Sequence, residues 1–131
     1  MSKSSSRWHE SLLKRFADRN DIGKDRLYAE YFMKDNLPKK EVLECLSLIE
    51  SEYDLPAGLL RPTDKLNKLF EPVETKNPLL WLIYQTRADD RKSELNYELA
   101  KRMRQHGILG KLSKIDTIGE FIRAWCGELL L

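Results

Sequence analysis

The chain has 131 residues, enough for one domain that buries roughly two thirds of its unfolded surface. Hydrophobic residues make up 41% and charged residues 34%, a balance that excludes a disordered polyelectrolyte and fits a globular protein. The net charge of +2 excludes a global field that would draw the chain to nucleic acid, and the longest clean apolar run, residues 79–83, is far short of the ~20 needed to span a bilayer.

Residues 1–6 are polar and lack an apolar signal core. They are expected to be a disordered tail, and nothing in them suggests export. Trp8, Leu12, Leu13 and Phe16 then form a helical stripe, with Ser6 as its expected cap. Residues 20–23 break it. Leu27, Tyr28, Tyr31 and Phe32 make a second, shorter stripe that ends ahead of Pro38, because a residue before proline avoids the α region. Pro38 fits the first turn of a third helix, whose inward face reads Val42, Leu43, Leu46, Ile49 and Tyr53.

Four of the five prolines lie between Pro56 and Pro78. A structureless connection of that length is rare in a compact domain, so short turns are expected inside it. One falls near residues 56–60. Another is capped by Asp64, with Leu66, Leu69 and Phe70 packed inward.

Asn77-Pro78 is a strong helix start, a capping side chain followed by proline. The apolar run follows, and then residues 87–93 read as polar all round. The stripe resumes at Leu95, Leu99 and Met103, and Gly107 suits a left-handed stop. Two readings stand: one long helix with its middle in water, or a kink near Asp89 and Asp90. Continuity is favoured, because neither glycine nor proline interrupts the segment. Thr117-x-x-Glu120 is a capping box, Ile118, Phe121, Ile122 and Trp125 form the last stripe, and Gly127 ends it. No segment alternates long enough to argue a strand. The expected fold is all-α, a single bundle of about five helices.

Chemistry-bearing residues are sparse. Cys45 and Cys126 fall inside helical patterns and read as reduced, packed thiols of a cytoplasmic protein. Neither sits in a CxxC or a Cys/His metal spacing, so no metal and no cofactor is expected. His9 lies on a polar position, and His106 at a basic helix end favoured by the helix dipole. Asp89 and Asp90 point about 100° apart on a helix, so they read as a solvated face and not as an acid/base pair. The aromatic residues, Trp81 and Tyr84 included, occur at helical spacing and read as core, and tryptophans at element starts and ends have a second reading as the lining of an apolar pocket or a patch for a partner. No phosphate loop, HExxH or GxSxG motif occurs.

Tyr53-Asp-Leu-Pro-Ala-Gly-Leu-Leu-Arg-Pro-Thr-Asp-Lys-Leu66 after a helix, a proline-punctuated loop, another helix, and then Ile115-Asp-Thr-Ile-Gly-Glu-Phe-Ile122 form an order that resembles acyl carrier proteins and their divergent bacterial relatives. The resemblance covers roughly residues 39–125. It implies an acyl-carrier-like bundle over 38–127 with a long first loop, preceded by an N-terminal helical extension over 7–37 that has no counterpart in the family. Family members carry phosphopantetheine on the serine of an Asp-Ser-Leu motif at the start of the second major helix. No serine lies between Ser51 and Ser93 here. Thr75, the one hydroxyl near that place, lacks the flanking Asp and Leu and reads as a loop or helix-start residue. The resemblance therefore implies the scaffold without its activity.

The expected function is a non-enzymatic protein-interaction module. Its partner surface is expected on Arg87 and Arg91 of the charged helix and on Lys101, Arg102, Arg104, Lys111 and Lys114, which share a stretch without acidic residues. The basic residues near 101–104 have a second reading as complements of a helix C-terminus. The alternative function is a nucleic-acid-binding regulator that uses residues 101–114. A final helix with one arginine, one glutamate and mostly core residues offers few side chains to read bases. No membrane partner is expected.

Overall fold

The computed structural model describes residues 3–72, 75–107 and 115–128. Within them the chain forms six α-helices: α1 (Lys3–Lys14), α2 (Lys24–Tyr31), α3 (Lys39–Tyr53), α4 (Asn67–Phe70), α5 (Pro78–Gln105) and α6 (Ile118–Trp125). Two 3₁₀ turns, Met33–Asp35 and Ala57–Leu59, join them. The architecture is all-α, and no strand occurs among the described residues. The count exceeds five because the expected inward turn, with Leu66, Leu69 and Phe70 buried, closes into the single-turn α4.

Local signals act where physics places them. Asn77 accepts from the amides of Leu79 and Leu80, and Pro78 opens α5. Thr75 supports the same start by accepting from the amide of Asn77 at 3.2 Å. Thr117 and Glu120 form the reciprocal capping box of α6. Gly107 and Gly127 stop α5 and α6 at φ +72 and +88, where a side chain would be strained.

Three local expectations are corrected. Helix α1 covers Lys3–Lys14, so Ser6 lies inside it and not at its cap, and the expected tail is helical from Lys3 on; residues 1–2 lie outside the described residues. No proline or glycine there prevents the extra turn. Pro38 stands at the N-cap of α3 in extended geometry, one residue before the helix. Asp64 does not cap α4, whose N-cap is Leu66 without a side-chain bond. Its carboxylate is buried and takes the guanidinium of Arg19, because a charge in that position requires a charged partner.

One apolar cluster runs from Leu12 and Phe16 through Val42, Leu46, Ile49 and Leu60 to Leu99, Phe121 and Ile122. The segment expected as an extension contributes Leu12, Phe16, Leu27, Phe32 and Leu37 to that same cluster. The proline segment is ordered by backbone bonds to the start of α6. The amide of Ile118 donates to Asp64, that of Gly119 to Pro62 and that of Leu66 to Asp116.

Helix α5 is one unbroken element of 28 residues, about 42 Å long. Its middle is not polar all round: Ala88 is buried and links Tyr84 to Leu95 in one stripe. Small size made that position invisible as a core residue. Helices α3 and α5 run antiparallel. Arg102, near the end of α5, meets Glu41 and Glu44 near the start of α3. Arg91 acts electrostatically on Glu52 and Tyr53 at the end of α3. The part of α5 before Arg91 therefore runs past the end of α3, by about 20 Å to Pro78. Helix α5 also packs on α1 and α4.

Candidate interaction surface

Two clefts open along α5. The first, about 540 Å³, is lined by Glu52 from α3 and by Arg87, Asp90, Arg91 and Glu94. It is a polar cleft of mixed charge. Burial raises the pKa of the Glu52 carboxyl above its usual value, and the Glu94 carboxylate raises it further, while the Arg91 guanidinium opposes both. The Tyr53 phenol, deeper in the same junction, is raised by burial against the pull of Arg91.

The second cleft, about 200 Å³, is lined by Glu98, Lys101, Arg102, Gln105 and Trp125. Arg102 sits 5.2 Å over the Trp125 ring and donates to Glu44 at 3.1 Å. Its guanidinium is thus held between an aromatic face and two carboxylates, an arrangement that uses both its planarity and its charge. Arg102 Nε, Trp125 Nε1 and Glu41 Oε2 are closed from solvent and have no hydrogen-bond partner.

Tyr97 stands between the clefts and is 59% exposed. It is one turn beyond Glu94 and one turn before Lys101. Its azimuth is about 200° from that of Leu95 on the buried stripe. That offset from the stripe was a legible signal of an outward aromatic, and the sequence reading passed over it, as it did over Glu52, Asp90, Glu94, Glu98 and Gln105.

The structure brings Arg87 and Arg91 together in the first cleft and Lys101 and Arg102 in the second. Arg104 is exposed near the end of α5. Arg102 does not join a free cationic face, because Glu41 and Glu44 of α3 neutralise it. Lys111 and Lys114 lie outside the described residues.

His9 Nε2 contacts the carbonyl oxygen of Asp54 and ties α1 to the end of α3. His106 is the C-cap of α5. Burial, and secondarily the neighbouring Cys126, raises the Cys45 thiol well above its usual value. Burial and then Glu41 push Cys126 up to about 12. Thiolates are disfavoured at both, which makes them poor nucleophiles at neutral pH. Among the described residues no cluster of three or more His, Cys, Asp or Glu side chains could hold a metal ion. None of their helices is long and apolar enough to cross a membrane.

Compared with protein-family models, curated proteins and solved structures, the chain matches none of them.

Proposed function

We propose that this protein is a non-enzymatic protein-interaction module and that its partner docks along the C-terminal half of α5, around Tyr97. The observation that carries this reading is an exposed tyrosine between two charged clefts on a rigid helix. Tyrosine and arginine are the residue types that concentrate binding energy at interfaces, and a rigid helix lowers the ordering cost of contact. Arg87 and Asp90 on one side and Lys101 and Glu98 on the other offer both signs of charge, which favours a partner surface of matching pattern over a uniformly anionic one.

The scaffold reading is acyl-carrier-like and degenerate. It is supported by the order α3, proline segment, α5, α6 and by the absence of a serine at the attachment position. Thr75 is already engaged as an acceptor at the start of α5. Two free thiols fit a reducing, cytoplasmic setting.

Tagged wild type and Tyr97→Ala, purified in parallel from the source cells, test the docking reading. A partner enriched by the wild type should be lost by about tenfold or more from Tyr97→Ala, as truncation of an interface anchor requires. Equal recovery with both forms would remove this surface from the function.

A further inference from the structure

The outer face of α5 carries its charges in a fixed order. Asp90, Glu94, Tyr97, Lys101 and Arg104 are all exposed. At about 100° per residue they fall within one arc of about 80°, opposite buried Leu95 and Leu99. Along the helix the order is acidic, aromatic, basic. Asp90 lies seven positions before Tyr97 and Arg104 seven positions after it, while Glu94 and Lys101 lie three before and four after. Each oppositely charged pair is thus nearly symmetric about the tyrosine.

A uniformly acidic partner satisfies Lys101 and Arg104 but opposes Asp90 and Glu94, and a uniformly basic one does the reverse. The face requires a strip with the opposite order. This chain carries one, the same helix turned end for end. In an antiparallel pair with Tyr97 on the two-fold axis, Asp90 lies opposite Arg104 of the second copy. Glu94 lies opposite Lys101 of the second copy to within one residue's rise, about 1.5 Å. Two-fold symmetry repeats both ion pairs, and the two tyrosine rings meet across the axis. Full overlap of the two helices instead centres the axis between Arg91 and Lys92. That register gathers Asp90 and Glu94 of both copies together and is opposed by their charge.

We propose that α5 pairs with α5 of a second copy of this chain, antiparallel about Tyr97. The proposal rests on the docking reading of this face and names its partner. Contact along about four turns of a single helix falls short of the ~800 Å² per partner of a lasting interface. The pair therefore forms and separates readily, and much of its attraction is electrostatic. Salt weakens it, because charges along an exposed seam are screened.

Sedimentation equilibrium of the full chain over a range of concentrations tests the pair. Wild type should form dimers, and raising the salt from about 0.05 to about 0.5 M should weaken them. Tyr97→Ala should weaken dimerisation by about tenfold or more. Asp90→Arg and Arg104→Asp should each weaken it at least as much, since each sets like charges opposite one another. An equimolar mixture of these two variants should dimerise again, because the reversed charge of one meets the reversed charge of the other. A misfolded variant cannot give that recovery. Wild type that stays monomeric up to ~0.5 mM overturns the proposal. Association that persists in Tyr97→Ala and in both reversals overturns it too, and so does a mixture that fails to recover. Monomeric wild type that still enriches a different protein, lost from Tyr97→Ala, overturns self-pairing and leaves the docking reading standing. Monomeric wild type with no Tyr97-dependent partner overturns both.

Discussion

One nitrogen of Arg19, Nη1, reaches both carboxylate oxygens of Asp64, at 2.9 and 2.7 Å. The pair joins the segment after α1 to the proline segment, 45 residues further along. Asp64 also accepts from the amide of Arg61 at 2.8 Å, and its carbonyl accepts from the amide of Ile118. Arg19 further lies 5.5 Å over the Phe16 ring, and Arg61 donates to the carbonyl of Asn20. The N-terminal segment is thereby fastened to the rest at a buried charge.

Arg19→Ala should lower stability by about 3 kcal/mol, because it leaves the Asp64 carboxylate buried without its ionic partner. Asp64→Ala should cost a similar amount. The double variant should cost clearly less than the two single costs added together, since residues in one network couple. Urea unfolding of the four proteins measures this. Strict additivity would mean that the pair contributes no coupling.

Gly58 is packed against the loop before α2. A Cβ there would fall on the Asp21 carboxylate and on the backbone of Gly23, and backbone cannot swing aside. Gly58→Ala should destabilise by on the order of 2 kcal/mol, the cost of overpacking. Gly107→Ala is a useful contrast: nothing lies within contact there, and its cost comes only from φ +72. Thermal melts of both variants separate clash from backbone strain.

Cys126 has a folded pKa raised from 9.0 to about 12 by burial and by Glu41. Its thiol stays protonated in the folded state while the unfolded chain ionises. Stability should therefore be unaffected by this group below pH 9 and fall as pH rises from there towards 12. Cys126→Ala should flatten the alkaline limb. In native protein at pH 8, alkylation of Cys126 should be slower than in urea-unfolded chain by about tenfold or more. Equal rates would contradict the burial of this thiol.

Incubation with coenzyme A and a promiscuous phosphopantetheinyl transferase should leave the mass unchanged. The motive is the missing Asp-Ser-Leu and the engaged Thr75 hydroxyl. An adduct on Thr75 or any other residue would make the protein a working carrier.

Duplex DNA should bind no tighter than ~10 μM at physiological salt, within the nonspecific range. Arg102 is already committed to Glu41 and Glu44, which removes one cation from the 101–114 stretch. Sub-micromolar, sequence-dependent binding in an anisotropy titration would favour the regulator reading.

The sequence by itself determined the elements whose causes are local. Asn77-Pro78, the Thr117–Glu120 box, Gly107 and Gly127 act within one turn of themselves, so their effects were legible from spacing alone. Ala88 in the buried stripe was missed because a small side chain carries little hydrophobic signal. The candidate surface was legible only in part: Arg87, Arg91 and Lys101 were read as outward charges, but the cleft walls supplied by Glu52 and Trp125 come from other helices. Tertiary structure alone decided that Arg102 pairs with Glu44 across 58 residues and Arg19 with Asp64 across 45. It also decided that Trp81 stands half in water. Trp81 occupies an azimuth shared with buried Leu99, and its exposure arises only because α5 runs past the end of α3. Local pattern sets which way a side chain points, and what lies in that direction is set by where the neighbouring helix stops.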